Sequence, residues 1–302
     1  MQQIAVDLGF GSVKTLVKKN LTKSPSAVAL NKRSIIDSSE KLYNFNGFNY
    51  MVGSEAMRDA YGTRDYEFLE KFAPLLLFKT FEDNGIDFSK PISLVTGLSL
   101  LNWDKKEQFA ELLQDFTVNN TNVKDIDLLI IPQGKGIYLD CLKNNSEISE
   151  GITLVVDIGY NTLDVIPFED GKPLAKEAWA NTHGVNIMVN ELDKYIVSKF
   201  GVSLNESKVN EAFQRGTIMC GSKRDLSIVI DEEKHKYVES VFSLIKTKNN
   251  SLYNSASNII IAGGGAYSFK DQDKLLGKNI LFPRGEYEFS NVRGYYENLI
   301  NG

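Results

Sequence analysis

An α/β fold built from two duplicated halves is the architecture this sequence predicts, and three observations carry it. A short apolar strand-turn-strand unit occurs twice, half a chain apart. Strands and helices then alternate along each half instead of segregating, as mixed α/β layers require. At 302 residues the chain can hold one large or two medium domains, and the half-chain repeat favours two.

The first copy of the unit is Ile4-Ala5-Val6-Asp7-Leu8-Gly9-Phe10-Gly11-Ser12-Val13-Lys14. The second is Leu154-Val155-Val156-Asp157-Ile158-Gly159-Tyr160-Asn161-Thr162-Leu163-Asp164, and the two align without a gap. Asp and Gly repeat identically, while an aromatic, a hydroxyl residue and the flanking aliphatics repeat in kind, so internal duplication is the economical reading. Each copy reads as a β-hairpin with an irregular glycine loop. A strand that delivers one Asp to such a loop suits phosphate chemistry: glycine lets backbone N–H groups approach an anion while the carboxylate holds a hard cation. Asp-x-Gly turns also occur in hairpins without function, but a second copy at half the chain length weighs against that.

After the first hairpin, residues 18–53 are polar, with Asn44, Asn46, Gly47 and Asn49 between Tyr43, Phe45, Phe48 and Tyr50. This predicts a small β-ribbon turning at Asn46-Gly47. Leu75 to Asp83 reads as a helix with Pro74 in its first turn, and Ile92 to Gly97 as a buried strand. Asn102 is placed to cap an amphipathic helix whose Phe109, Leu112, Leu113 and Phe116 share one face. Ile126 to Ile131 reads as another buried strand, stopped by Pro132. In the second half, helices are expected over about 185–200, ended by Gly201, over 206–215, ended by Gly216, and over 232–248. A strand over 258–262 leads into Gly263-Gly264-Gly265, and a last helix covers about 292–300.

A formal net charge of −5 and a pI near 5.3 argue against direct nucleic-acid binding, which needs a concentrated basic surface. Any DNA contact is expected to run through a partner. Cys141 and Cys220 are isolated and only His183 and His235 could join them, so neither a zinc site nor a disulfide framework is expected. No apolar run approaches the roughly 20 residues of a membrane-spanning helix, and Met1-Gln2-Gln3 leads directly into a strand. The expectation is a cytoplasmic protein with no membrane partner.

With these residues in view, the sequence resembles the actin, Hsp70 and sugar-kinase superfamily, whose two phosphate loops look like the repeated units. Within it the likeness is to actin-like proteins of the ParM/StbA plasmid-segregation type. The resemblance implies an actin-like fold, two duplicated RNase H-like domains around a central nucleotide cleft. Domain I would span 1–145 and 288–302, with a small subdomain at about 18–60, and domain II 146–287. It implies ATP, with GTP as the alternative, and Mg²⁺ held between Asp7 and Asp157, since two carboxylates facing each other across a cleft repel unless a cation lies between them. Gly9, Phe10, Gly11, Ser12, Val13 and Lys14 would contact phosphates from one side, with Gly159, Tyr160, Asn161 and Thr162 opposite and Gly184 at a helix start beside them. Gly263, Gly264, Gly265 and Ala266 resemble the adenosine motif. Glu211 and Arg215 resemble the pair that flanks the adenosine in Hsp70, although a solvent-facing i,i+4 pair is an equal alternative.

Two departures stand out: bulky Tyr160 where relatives carry a second glycine, and Ser99 where segregation actins carry proline. Asp164 is the repeat mate of Lys14, so one copy keeps a cation and the other an acid able to orient or deprotonate water. Gln133 resembles the glutamine of actin that positions the hydrolytic water, and the two would share that water in a slow hydrolysis. The function implied is a filament-forming ATPase that binds itself, serving plasmid segregation or intracellular positioning, with a DNA-binding adaptor as a further partner. A small-molecule kinase of the same superfamily is the alternative.

Overall fold

In the computed structural model, which describes residues 1–31, 41–62, 65–270 and 279–301, β1 (Gln2–Leu8) lies at the centre of a sheet. Its Ile4, Ala5 and Val6 are fully buried, as a two-sided apolar strand with a parallel neighbour must be. It turns back into antiparallel β2 (Ser12–Val17), which pairs with the edge strand β3 (Asn20–Pro25). The sequence reading missed β3, because its polar residues give no apolar alternation.

A small three-stranded sheet follows, from β4 (Val28–Leu30), β5 (Tyr43–Phe45) and β6 (Phe48–Val52). Asn46 and Gly47 turn it with φ of 50° and 81°, as an Asn-Gly hairpin requires. Residues 32–40 of the expected small subdomain lie outside the described residues. A short 3₁₀ turn (Gly53–Ala56) leads out of this sheet.

Helix α1 (Tyr66–Asp83) is twice as long as expected and holds Pro74 in its interior. Phe68, Leu69, Phe72, Leu75, Leu76 and Phe78 bury it on nearly all sides, and that burial offsets the backbone hydrogen bond proline removes. β7 (Ile92–Leu98) then enters a 3₁₀ turn (Leu100–Lys105) before α2 (Lys106–Gln114). Asn102 sits inside that turn and does not cap α2, which follows Lys105 without a side-chain cap; Ser99 caps the 3₁₀ turn, its hydroxyl accepting from the Leu101 N–H. The hairpin β8 (Phe116–Val118) and β9 (Thr121–Val123) precedes β10 (Ile126–Pro132) and α3 (Lys135–Asn144).

The second half repeats the first. β11 (Ile152–Ile158) and β12 (Leu163–Glu169) form its hairpin, with β13 (Lys172–Pro173) and β14 (Trp179–Asn181) both on β12. α4 (Asn186–Phe200) ends at Gly201 and α5 (Glu206–Arg215) at Gly216, each glycine left-handed as expected. The ribbon β15 (Thr217–Cys220) and β16 (Ser222–Asp225), unforeseen in the sequence, precedes α6 (Ser227–Lys248). α6 begins five residues earlier than its apolar face predicts because the Asp225 carboxylate accepts from the Ser227 N–H. α7 (Asn250–Ser255), β17 (Asn258–Ala262), β18 (Ile280–Leu281) and α8 (Ser290–Asn301) complete the chain.

Strand order is β10-β7-β1-β2-β3 in one sheet and β18-β17-β11-β12-β13 in the other. In both, the hairpin is antiparallel and the strands on its other side run parallel to it. The duplication seen in eleven residues thus extends to the whole topology, and the fold is actin-like. α3 packs on the second sheet through Ile137 and Tyr138 against Val155, Ile166 and Phe168. α8 returns to the first sheet, where Val292 and Tyr295 meet Ala5, Val95 and Ile131. The two helices cross at Gly136 and Gly294, so tightly that a Cβ on Gly294 would lie 1.8 Å from the Gly136 carbonyl oxygen. Among the described residues no helix is long and apolar enough to cross a membrane.

Tyr295 is fully buried and, among the described residues, its hydroxyl has no hydrogen-bond partner; burial and the nearby Asp7, Asp157 and Asp164 hold its pKa well above the ordinary phenol value. An unmade bond at a buried hydroxyl costs about 1–3 kcal/mol. Tyr295→Phe is therefore expected to raise stability by up to about 1 kcal/mol, read by urea unfolding. A loss of more than that would show that the hydroxyl is bonded.

Candidate functional site

β1 and β11 each end one residue after an aspartate, and in both hairpins that aspartate pairs across the strands with the residue seven positions on. The pairs are Asp7 with Lys14, and Asp157 with Asp164. The two glycine loops meet: a Cβ on Gly11 would come within 3.2 Å of the Tyr160 Cβ. Three buried carboxylates are thereby gathered where the halves face each other, Asp7, Asp157 and Asp164.

Each is held differently. Asp7 accepts from Lys14 Nζ at 3.1 Å on one oxygen and from Gln133 Nε2 at 2.9 Å on the other. Asp157 accepts from Asn291 Nδ2 at 2.6 Å, while Asn291 Oδ1 accepts from the Gly134 N–H at 2.9 Å. Asp164 accepts from the Ser99 hydroxyl at 2.8 and 2.9 Å and from the Leu100 N–H at 2.7 Å. The proline-to-serine departure therefore has a chemical consequence, because Ser99 ties the second hairpin to the end of β7. These bonds also make Asp164 an anchor between the two halves, rather than an acid with its oxygens turned to solvent.

Burial, and then the charges of Asp164 and Asp7, push Asp157 up to about 7. Burial also lifts Asp164 to about 6, opposed by the bonds from Ser99 and Leu100. Crowded like charges of this kind fit a divalent cation, which would let Asp157 ionise. Among the described residues no three ligand side chains converge closely enough to cage a metal, so Asp7 and Asp157 fit a cation that keeps most of its waters.

The remaining candidates separate by what surrounds them. Gly263 and Gly265 are fixed by packing against the end of β11: a Cβ on Gly263 would lie 2.4 Å from the Ile158 carbonyl oxygen, and one on Gly265 would lie 2.2 Å from Ile158 Cγ2. Gly264 alone faces open space, with nothing within 4 Å of its Cβ position. Ala266 and Val13 point into the core, which leaves their backbone for a ligand. A Cβ on Gly9 would meet Lys14 Nζ at 2.9 Å, so this glycine keeps the lysine on Asp7. Gly184 lies under the second loop, where its Cβ would be 2.3 Å from the Tyr160 carbonyl oxygen. The N–H groups of Val185 and Asn186 bond the Gly159 and Tyr160 carbonyls, so the start of α4 braces the loop. Glu211 and Arg215 form the surface i,i+4 pair at 2.7 Å, both exposed, which is the alternative the sequence left open. His183 accepts or donates at Ser240 Oγ, 2.7 Å away, and stacks on Tyr237, a structural setting whose burial lowers its pKa.

An open cavity of about 330 Å³ runs beside both loops, lined by Phe10, Asn161, Thr162, Asn102, Lys105 and Thr182. Asn161 is buried and accepts from Asn186 Nδ2; Ser12 opens β2 at the end of the first loop. Sequence reasoning missed Ser99, Asn102 and Asn291 as site residues. The only signal for Asn291 was its place at the head of the last helix.

The sequence matches two family descriptions in succession: actin-like proteins, N-terminal domain, over residues 5–136, and archaeal actin homologue MreB-like, C-terminal, over residues 155–274. No curated protein matches it. Among solved structures, the archaeal actin homologue Ta0583 superposes with a TM-score of 0.83 at 18% identity, each chain covered in full. The same homologue in complex with ADP gives 0.80 at 18%, again with full coverage of both chains. The ParM of a 15-stranded filament from Clostridium botulinum gives 0.82 at 23%, over 100% of this chain and 99% of that one. At these identities the likeness is one of fold.

Proposed function

Because this chain belongs to the actin-like proteins, we propose that it binds ATP with Mg²⁺ between its halves, hydrolyses it slowly, and assembles into filaments whose lifetime that hydrolysis sets. The observation that carries the reading is the pair of matched hairpins, whose loops face each other closely at Gly11 and Tyr160 and whose aspartates share one register, with Asp157 pushed up to about 7 by burial and neighbouring carboxylates, a setting in which a cation favours its ionised form. The domains would be 1–145 with 288–302, and 146–287.

In this reading Asp7 and Asp157 hold the hydrated cation, and Lys14 adds a fixed positive charge toward the phosphates. Backbone N–H groups of Gly9 to Val13 and Gly159 to Thr162 bind phosphate oxygens. Gly264 opens the face on which the nucleoside lies. The bound cation supplies charge neutralisation at the transferring phosphoryl group. Gln133, whose Nε2 is engaged by Asp7, keeps its amide oxygen to accept from a water; an amide orients water but is a poor base, so hydrolysis is slow. Asp164 fixes the Ser99–Leu100 corner against the second hairpin and so sets how closely the halves approach. Alp12, another protein of similar fold, is known as a filament. Plasmid segregation through a DNA-binding adaptor is the role such filaments would serve here.

A nucleotide bridging both loops holds the halves closed, and a rigid subunit loses less conformational entropy on docking to a neighbour. ATP with Mg²⁺ is therefore expected to yield pelletable filaments, and ADP to raise the critical concentration about tenfold, equivalent to about 1.4 kcal/mol per contact. Sedimentation and negative-stain microscopy read both. A protein that stays monomeric with ATP at tens of micromolar while phosphorylating a small metabolite would replace this reading with the kinase one.

A further inference from the structure

Tyr160 is a bulky residue in the second glycine loop, and the structure gives its side chain a connecting position. Its ring packs on the apolar cluster of α4, α5 and β15 that includes Val189, Leu192 and Val209. Its Cβ faces the first loop at Gly11, where a methyl on that glycine would lie 3.2 Å away, and its hydroxyl donates to Glu206 Oε1 at 2.9 Å. Glu206 is the first residue of α5. The residues on either side of it reach the first half: Asn205 Nδ2 donates to the Arg58 carbonyl at 3.2 Å, and Ser207 Oγ to the Met57 carbonyl at 3.1 Å. Met57 and Arg58 directly follow the 3₁₀ turn that leaves the small sheet. One tripeptide, 205–207, is thus joined at its centre to the glycine loops and at its ends to the outer edge of the other half.

We propose that Tyr160 is a positioning residue that transmits the state of the two glycine loops, through Glu206, to the contact between residues 57–58 and 205–207 across the outer edge of the cleft. The proposal rests on the nucleotide reading above. A bound triphosphate draws the loops together, and Tyr160, backed against the first loop at Gly11 and joined to Glu206 by a charge-assisted hydrogen bond, carries that displacement to the head of α5. Asn205 and Ser207 then reach the Met57 and Arg58 carbonyls. When the loops relax, the same strut withdraws the tripeptide and the outer edge opens.

The test is Tyr160→Phe, which keeps the ring in its cluster and removes only the hydroxyl, with Ser207→Ala weakening the far end. Release of a fluorescent ADP analogue is expected to quicken about tenfold in Tyr160→Phe, the size of one hydrogen bond to a charged group, and a few-fold in Ser207→Ala. The double variant should be no faster than Tyr160→Phe, because both act on one path. Glu206→Gln, which keeps an acceptor, should restore most of the slow release seen in wild type relative to Glu206→Ala. Single-turnover hydrolysis of bound ATP should change less than twofold in Ser207→Ala, and circular dichroism melts of both variants should stay within a few degrees; a merely structural tyrosine would move the melts and not the release rate. Unchanged release in Tyr160→Phe, with wild type binding nucleotide normally, overturns the coupling and leaves the nucleotide reading standing. Failure of wild type itself to bind ATP or ADP overturns both.

Discussion

Asp157→Asn is expected to abolish hydrolysis and, in the nucleotide-free protein, to raise stability. Both effects follow from one setting. The carboxyl is buried beside Asp164 and Asp7 and pushed up to about 7, so at higher pH the folded protein carries a charge it holds poorly. Asparagine keeps an oxygen for the 2.6 Å bond from Asn291 and removes the charge. It also removes one of the two groups that fit the cation, which should lower turnover about a hundredfold or more, the loss that several kcal/mol of charge stabilisation implies.

The pH dependence has a definite sign. An unfolded aspartate titrates near 3.9; between that value and about 7 the folded protein binds more protons than the unfolded one. Wild-type stability therefore falls as pH rises through this window and stays low above it. The advantage of asparagine should be absent near pH 4 and reach a few kcal/mol by pH 8. Urea unfolding of the metal-free protein at pH 5 and pH 8 measures it. A variant less stable than wild type at pH 8 would mean that Asp157 is already compensated within the fold.

Gly294→Ala should cost more stability than any surface substitution. In an exposed helix this change normally stabilises by about 0.5–1 kcal/mol. Here the new methyl would lie 1.8 Å from the Gly136 carbonyl oxygen, and a backbone carbonyl at a helix crossing cannot rotate away as a side chain does. α3 and α8 would have to separate, disturbing the Asp140 anchor that accepts from Ser290 and Arg293. A loss of at least about 3 kcal/mol is expected, the upper range of overpacking, seen as a large fall in melting temperature or in soluble yield. A rise in melting temperature would show that the crossing has room.

How much of this was legible beforehand depends on the length scale of each signal. The Asp7 and Asp157 registers were visible as an eleven-residue repeat, and Gly201 and Gly216 ended their helices where a left-handed residue was needed. Pro74 misled, because tertiary burial around α1 outweighs the local rule that proline starts a helix. Asn102 misled for a related reason: it falls inside a 3₁₀ turn whose own cap, Ser99, is bonded to a partner 65 positions away, Asp164. The glycines after β17 were read as room for a ligand, yet Gly263 and Gly265 answer to Ile158 in another strand. Such long-range steric demands leave the same letter in the sequence as a binding requirement. Asn291 was legible only as the head of the last helix, since its role is set by Asp157 and Gly134, both more than 130 positions away.

The pairs Asp7 with Lys14 and Asp157 with Asp164 occupy equivalent places in the two hairpins, and they differ in charge at one position. A symmetric dimer of identical half-length chains could not contain that difference, because one gene would write the same residue at both places. Two lysines would leave no carboxylate to grip Ser99 and Leu100; two acids would remove the cation that partners Asp7. The separation of an anchoring side from a charge-neutralising side thus becomes available to mutation only once both halves are encoded in a single reading frame. Position 14 against position 164 is, in that sense, a record of what fusion of the halves made it possible to inherit.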